Sequence, residues 1–141
     1  MNNGHNILGT GVDLVENERM EEMLKRWGSK FKDKVFLAQE QEYCDTKAAA
    51  FRHYAARFAV KEAVTKAFGT GIGPHISWLD MEVVRDHSSG APSVRLIGKA
   101  KELSQQRNVK EILISLSHTR NYSVAHALVV GDGGAEETAK R

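Results

Sequence analysis

The feature that most constrains this chain is one long helical segment near its centre, roughly residues 48–68, which ends at Gly69. A glycine after the last helical turn is typical of a helix C-cap. At about 100° per residue, one narrow arc of the segment is apolar: Phe51, Tyr54, Ala55 and Phe58. Arg57 and Lys61 fall outside that arc, and we expect them to point away from it. The pattern predicts a helix that packs its apolar side into the core of the fold.

Shorter segments with strand or helix patterns surround this helix. The predicted strands are residues 7–15, 79–85, 93–98, 111–117 and 123–130. The other predicted helices are residues 17–28, with Asn17 as N-cap, residues 37–44 and residues 98–107, whereas residues 31–37 form a link. Turns at HSSGAP and HTRNY join two pairs of strands into hairpins. The order predicts an α+β fold in which a small antiparallel sheet packs with a long central helix.

The length and composition indicate one soluble domain. The chain has 141 residues, of which 41% are hydrophobic, and we expect a single domain over residues 1–131 with a disordered tail over residues 132–141. No apolar run approaches the ~20 residues of a membrane span, and no signal peptide is recognisable. The one cysteine, Cys44, favours a reducing cytoplasm, and a net charge of +2 is too small to indicate nucleic acid binding.

Two carboxylates lie among residues that we expect to be buried. Asp13 lies in the strand GTGVDLVE, and Glu62 falls inside the apolar arc of the long helix, one turn before Lys66. The apolar neighbours of Asp13 that we expect to be buried are Ile7, Leu8, Val12, Leu14 and Val15. A buried carboxylate is costly unless it is neutralised, paired or bound to a metal.

Two interpretations of these acids stay open from spacing alone. Glu62 and Lys66 could form an exposed pair that contributes ~0.2–0.5 kcal/mol. Alternatively, Asp13 and Glu62 converge and share a hard divalent cation, since Mg²⁺ usually takes one or two carboxylates together with waters and substrate phosphates. Lys66 would then contact the same phosphates.

Two further features are compatible with ligand binding or with ordinary structure. His118 and Thr119 lie at the mouth of the last hairpin, where a histidine either caps the turn or binds a ligand. The loop GTGIG, residues 69–73, either forms a plain C-cap and turn or brings backbone N–H groups close to a ligand. It is not a P-loop, because GxxxxGK[ST] is missing and it follows a helix.

Three segments in order resemble one known family: GTGVDLVENERM (9–20), ARFAVKEAVTKAFGTGIG (56–73) and ISLSHTRNYSVAHALV (114–129). The pattern resembles the holo-acyl-carrier-protein synthases, the short 4′-phosphopantetheinyl transferases. The segment FLAQEQEYC (36–44) is similar to the second helix of that family. The resemblance spans residues 7–130, and its middle segment is the most specific.

The resemblance implies the reaction and the metal. A member of this family transfers 4′-phosphopantetheine from coenzyme A to a serine of apo acyl carrier protein, releases adenosine 3′,5′-bisphosphate, and so activates the carrier protein for fatty acid biosynthesis. Asp13 and Glu62 would hold Mg²⁺ against the coenzyme A diphosphate. Lys66 would contact the phosphates and protonate the leaving one. Either Glu62 or a water beside the metal would accept the serine proton.

The resemblance also implies where coenzyme A is held. The further contacts that it implies are Arg57, Gly69, Thr70, Gly71, His118 and Thr119. His118 would bind a phosphate of the nucleotide end. Lys47 and Arg52 are expected to take the place of basic residues that relatives often carry just before the long helix.

Short members of the family are homotrimers with active sites in clefts between subunits, so the resemblance implies a homotrimer. Asp13, Glu62 and Lys66 would come from one subunit, and nucleotide contacts such as those near His118 would come from its neighbour.

The protein partner in this family, acyl carrier protein, is acidic. Arg19, Lys25 and Arg26 lie on the helix over residues 17–28, and we expect them to dock the carrier protein by charge complementarity. The alternative is an ordinary solvated helix face, because glutamates are interspersed along the same helix.

Two other classes of function compete with the transferase. A coenzyme A or nucleotide-binding module would bind without turnover, and a structural trimer whose acids merely pair with lysines would bind ligand without dependence on Mg²⁺.

Overall fold

The structure is a computed structural model, and it describes residues 6–132; residues 133–141, most of the tail predicted to be disordered, lie outside that range. The strands are β1 (Asn6–Glu16), β2 (Met81–Arg85), β3 (Pro92–Leu96), β4 (Val109–His118) and β5 (Tyr122–Gly131). The helices are α1 (Asn17–Trp27), α2 (Ser29–Val35), α3 (Ala38–Asp45), α4 (Ala50–Phe68) and α5 (Gly98–Gln106). A short 3₁₀ turn (Trp78–Asp80) precedes β2.

The strands form two antiparallel sheets. The larger sheet has the order β1-β5-β4, with Asp13 opposite Ala125 and His118 opposite Ser123. Strands β2 and β3 form a separate hairpin in which Val83 lies opposite Val94. Both predicted hairpins and the α+β class are confirmed.

Helix α4 lies between the larger sheet and the other helices. Its alanines Ala59, Ala63 and Ala67 pack with Ala127 and Val129 of the sheet, where small side chains let the layers approach closely. On another side, Tyr54 joins a second cluster with Met20, Phe36 and Cys44 from the first three helices. The helix is therefore enclosed on most sides and not along one arc.

Two glycines of β1 bring the strand backbone directly onto α4. A Cβ atom at Gly9 would lie 1.8 Å from the carbonyl oxygen of Ala67, and one at Gly11 would lie 2.1 Å from that of Ala63. Any side chain at either position would clash with main-chain atoms, so the crossing of β1 over α4 requires glycine.

Arg57 and Lys61 lie outside the predicted apolar arc, yet both side chains are buried, because the fold also covers that side of α4. Lys61 is fully buried, and its ammonium donates to Glu40 Oε1 at 2.7 Å, to the Val35 carbonyl at 2.7 Å and to the Trp78 carbonyl at 3.2 Å. A buried charge with a partner and satisfied hydrogen bonds is tolerated, and a helical wheel cannot show that such a partner exists.

The expected burial of the apolar residues in β1 is wrong for this chain taken alone. Val12 is 55% exposed and Leu14 is 62% exposed, while Ile7 and Leu8 are exposed as well and Val15 is partly buried. These side chains alternate with Gly11 and Asp13, so only one face of the sheet is covered by α4.

Two local predictions near α1 also need correction. Residues 29–35 form a helix and not a link, because Phe31 and Val35, four residues apart, both pack into the cluster with Met20. Asn17 is the first residue of α1 and not its N-cap. Its buried side chain donates to the Thr119 and Arg120 carbonyls and accepts from the Ser123 hydroxyl, which ties α1 to the β4–β5 turn.

Within residues 6–132, none of the helices has the length and apolar character needed to cross a bilayer.

Candidate active site

Asp13 and Lys66 meet where β1 crosses the last turns of α4. The Lys66 ammonium lies 3.0 Å from Asp13 Oδ1 and donates to the Val12 carbonyl at 3.2 Å. The Asp13 side chain is only 15% exposed, whereas that of Lys66 is 52% exposed. The ammonium therefore neutralises the largely covered carboxylate from the solvent side.

Glu62 completes this group one helical turn before Lys66. Burial raises the pKa of Glu62, and the negative charge of Asp13 raises it further, while Lys66 opposes both effects. Asp13 and Lys66 thus both act electrostatically on Glu62, which lies four residues before Lys66 on α4.

The glycine contacts determine how this group is assembled. The Gly11 backbone rests on Ala63 and Ala67 of α4, the second of which is adjacent to Lys66. Asp13 lies two residues further along the same face of β1. The close crossing thus sets the carboxylate of the strand beside the carboxylate and the ammonium of the helix.

Asp13 and Glu62 are the acidic side chains of this group that could bind a metal ion. Residues 6–132 contain no group of three or more histidine, cysteine, aspartate or glutamate side chains arranged to hold a metal ion. A hard cation bound by Asp13 and Glu62 would need waters or ligand phosphate oxygens to fill its shell, which is how Mg²⁺ is usually bound.

A second candidate region is a cavity of about 370 Å³ between α4, the β2–β3 hairpin and the end of β4. Its titratable or charged lining residues are Arg52, His53, Arg57, Arg85 and His118, and the rest of its lining is uncharged. We refer to this region as the cationic cavity. Burial lowers the pKa of His53, and the positive charges of Arg57, Lys47, Arg85 and His118 lower it further.

The structure does not bring the two regions together within one chain. Asp13 lines a groove of about 540 Å³ with Arg19, Phe58 and Tyr122. None of these residues lines the cationic cavity, which contains His118. Arg57 and His118, two of the predicted contacts to coenzyme A, therefore line a different cavity from the groove that Asp13 borders.

The loop after α4 and the residue after His118 are held by local hydrogen bonds. Gly69 and Gly71 have φ values of 78° and 64°, and the Thr70 backbone N–H donates to the Thr65 carbonyl. The Thr119 hydroxyl accepts from the Tyr122 backbone N–H. Gly69 thus forms the C-cap of α4, and Thr119 closes the turn between β4 and β5. The ligand contacts implied for these residues stay predictions.

The three basic residues predicted to dock a partner are all exposed on α1. Lys25 lies 3.9 Å from Glu21, and the Arg26 guanidinium lies over the Trp27 ring. Arg19 borders the same groove as Asp13.

Sequence reasoning missed Arg85, which lines the cationic cavity, and Tyr43, which lines the neighbouring cavity. Arg85 comes from the end of β2 and Tyr43 from α3, and the Arg85 guanidinium donates to the Tyr43 hydroxyl at 2.9 Å. The signal available was the aromatic residue in the segment 36–44, but only the tertiary structure brings β2 beside α3.

A family model named the 4′-phosphopantetheinyl transferase superfamily matches residues 9–127. Among curated proteins, the holo-acyl-carrier-protein synthase of Ruminiclostridium cellulolyticum is 48% identical over 124 residues, which cover 86% of this chain and 92% of that protein.

Solved structures with the same name share the fold. The enzyme from Neisseria meningitidis superposes with a TM-score of 0.82 at 24% identity, covering 88% of this chain and 98% of the other. The Helicobacter pylori enzyme in complex with coenzyme A gives a TM-score of 0.74 at 31% identity, covering 85% of this chain and 98% of the other. With these matches, the chain belongs to the 4′-phosphopantetheinyl transferase superfamily and, within it, to the holo-acyl-carrier-protein synthases.

Proposed function

We propose that this protein transfers 4′-phosphopantetheine from coenzyme A to a serine of apo acyl carrier protein, with Mg²⁺, and releases adenosine 3′,5′-bisphosphate. The observation that carries the proposal is the group formed by Asp13, Glu62 and Lys66 at the crossing of β1 and α4. Two acids and a cation at one half-exposed position suit a reaction at a phosphate, and the relative from Helicobacter pylori is described in complex with coenzyme A.

The donor set fits Mg²⁺. Asp13 and Glu62 are hard oxygen donors on two rigid elements, and the repulsion that raises the pKa of Glu62 would be relieved by a divalent cation between them. When bound, Mg²⁺ supplies positive charge to the diphosphate oxygens during transfer.

Glu62 and Lys66 have complementary roles in the proposed reaction. The serine hydroxyl oxygen forms a bond to the phosphorus that carries pantetheine, and the bond from that phosphorus to the bridging oxygen breaks. Either Glu62 or a water beside the metal would accept the serine proton. Lys66 stabilises the negative charge that develops on the leaving phosphate, since electrostatic stabilisation is usually the largest contribution to phosphoryl transfer.

We propose that the nucleotide end of coenzyme A binds in the cationic cavity of a neighbouring subunit. Arg57 and His118 line that cavity, which is separate from the groove of Asp13 in one chain. Assembly also explains the exposed outer face of the larger sheet, where Val12, Leu14 and Leu113 are each about half exposed or more. Both observations support the homotrimer with active sites between subunits.

The carrier protein would approach along α1. Arg19 borders the groove of Asp13, so a partner held by Arg19 and Arg26 would present its serine near Glu62. Charge complementarity with an acidic carrier protein would mainly accelerate the encounter. We place this reaction in the cytoplasm and in fatty acid biosynthesis, in keeping with a single cysteine that is buried.

One assay tests the reaction. The protein is mixed with apo acyl carrier protein, coenzyme A and Mg²⁺, and the mass of the carrier protein is then measured by mass spectrometry. A gain of one phosphopantetheine group supports the transferase, while coenzyme A binding without a gain in mass indicates a binding module. Glu62→Gln should abolish the gain without unfolding, and Glu102→Gln on the exposed side of α5 is the matched control that should retain it.

A mixing experiment tests whether each site is shared between subunits. Glu62→Gln and His118→Ala chains are each expected to be strongly impaired at low coenzyme A concentration. In mixed trimers at equal amounts, about one quarter of the clefts would combine an intact Glu62 with an intact His118 from the neighbour. Recovery of activity on mixing supports the shared site, whereas no recovery from correctly assembled mixed trimers would refute it.

A further inference from the structure

The ring of Tyr43 is surrounded by cations beside the cationic cavity. The Arg57 guanidinium carbon lies 4.3 Å from the ring centroid and the Lys47 ammonium lies 4.6 Å from it. The Arg85 guanidinium donates to the hydroxyl of the same tyrosine at 2.9 Å. Three positive charges from α3–α4 and β2 thus meet on one aromatic side chain.

These cations lack carboxylate partners. Within the described part of the chain, Lys47, Arg57 and Arg85 make no ion pair with an acid. Arg57 is 94% buried, since its exposed fraction is 6%, and its Nε atom is buried without a hydrogen-bond partner. A buried donor without an acceptor is costly, so this guanidinium is suited to an anion that arrives from outside.

The nearest acids of the hairpin are already engaged. Glu82 accepts from Arg95 at 2.6 Å, and Asp86 accepts from the hydroxyls of Ser88 and Ser89. These bonds occupy carboxylates that border the neighbouring cavity shared by Arg57 and Arg85. Arg57 and Arg85 also line the cationic cavity together with His118, and the lining of that cavity contains no acidic side chain.

We propose that Tyr43 is a positioning residue that holds Arg57 and Arg85 together as a phosphate clamp, and that Arg85 contacts the 3′-phosphate of coenzyme A. The inference rests on the proposed function. The diphosphate is already assigned to the group around Lys66, so the phosphomonoester is the remaining phosphate that needs cations. Its two charges and three free oxygens match two guanidinium groups better than one.

Tyr43 would supply the preorganisation. Like charges repel, and the face of an aromatic ring offsets that repulsion for Arg57 and Lys47 while the hydroxyl directs Arg85. The clamp would therefore be assembled before the ligand arrives, which lowers the cost of ordering long side chains on binding.

The test compares coenzyme A with 3′-dephospho-coenzyme A in the transfer assay. For Arg85→Gln, we expect KM for coenzyme A to rise about 10-fold, the effect of losing a charge-assisted hydrogen bond. The kcat should be retained, because Asp13, Glu62 and Lys66 are unchanged, and KM for the dephosphorylated substrate should not move. Lys101→Gln, which removes an exposed cation of α5 that lines neither cavity, is the control and should leave both KM values unchanged.

Two variants of the tyrosine separate positioning from a structural role. Tyr43→Phe removes only the hydroxyl, so we expect a smaller rise of KM for coenzyme A than in Arg85→Gln. Tyr43→Leu removes the ring under Arg57 and Lys47, and we expect a larger rise, again with little change for 3′-dephospho-coenzyme A. A merely structural role would instead lower kcat and the unfolding temperature and affect both substrates equally.

The outcomes distinguish this inference from the function on which it rests. If the wild type transfers phosphopantetheine but Arg85→Gln behaves as Lys101→Gln does, the clamp is refuted and the transferase stands. Equal KM values of the wild type for the two substrates would likewise refute the clamp. Absence of transfer by the wild type would refute the proposed function itself.

Discussion

The buried ion pair of Lys61 and Glu40 allows a quantitative prediction about stability. Both side chains are about 1% exposed or less, and burial lowers the pKa of Lys61 while Glu40 opposes that effect. Lys61→Met would keep most of the apolar stem but would leave the Glu40 carboxylate buried without a counter-ion. Glu40 would retain only the two backbone donors that it now binds, from Leu37 at 2.9 Å and Val83 at 2.8 Å.

We expect Lys61→Met to destabilise the fold by about 3–5 kcal/mol, the usual result of removing one partner from a buried pair. The orphaned carbonyls of Val35 and Trp78 place the estimate toward the upper end. For a chain of this size, the loss corresponds to a decrease of roughly 10–20 °C in the unfolding temperature. Urea unfolding followed by circular dichroism measures the free energy directly.

Two controls determine whether the cause is the buried charge. Lys66→Met, on the same helix, should cost less than Lys61→Met because the Lys66 ammonium is half exposed, whereas the Lys61 ammonium is fully buried. The double variant Lys61→Met with Glu40→Gln removes both charges and should recover much of the lost stability. If Lys61→Met were no less stable than Lys66→Met, the reasoning about the buried pair would be wrong.

Three other predictions follow from features described above. Gly11→Ala should lower the free energy of unfolding by about 3 kcal/mol, the upper end of overpacking effects, because its Cβ would clash with the α4 backbone. Gly73→Ala is the control in the same unfolding experiments, because a Cβ atom there would meet nothing within 4 Å. Because the pKa of Glu62 is raised in the folded state, its charged form destabilises the fold only above the ordinary glutamate pKa. The stability of Glu62→Gln relative to the wild type should therefore increase from about pH 4 to about pH 7 in denaturant titrations without metal, and a constant difference would contradict this. Burial raises the pKa of Cys44 to about 12, so a thiol reagent at mildly alkaline pH should modify Cys44 only as fast as the protein unfolds around it. The measurement compares the rate of modification with the rate of unfolding.

Local patterns predicted most elements of the fold. The long helix, the two hairpins and the segment of α3 were recognisable because their periodicities and turn residues act within a few neighbouring positions. The short helix α2 was missed, since SKFKDKV carries only two apolar residues and becomes helical through their packing against the cluster of Met20. Tertiary packing overrides such weak local preferences.

The candidate site was predictable where chemistry shows in single residues and not where it depends on distant partners. Asp13 and Glu62 stood out as acids in apolar surroundings, and the structure sets both beside Lys66. The environment of Lys61 was not predictable, because Glu40 lies 21 positions away and meets it only after folding. The position of Arg85 beside α3 depends in the same way on the docking of the β2–β3 hairpin.

The contact of Gly9 and Gly11 with α4 has a consequence for how the protein can vary. Because main chain meets main chain there, no rotamer or side-chain volume sets the separation of the strand from the helix. Substitutions elsewhere in the interior can change the surrounding packing, yet they should have little effect on the distance between Asp13 and Glu62. The geometry of the candidate site is thereby protected from substitutions in the core.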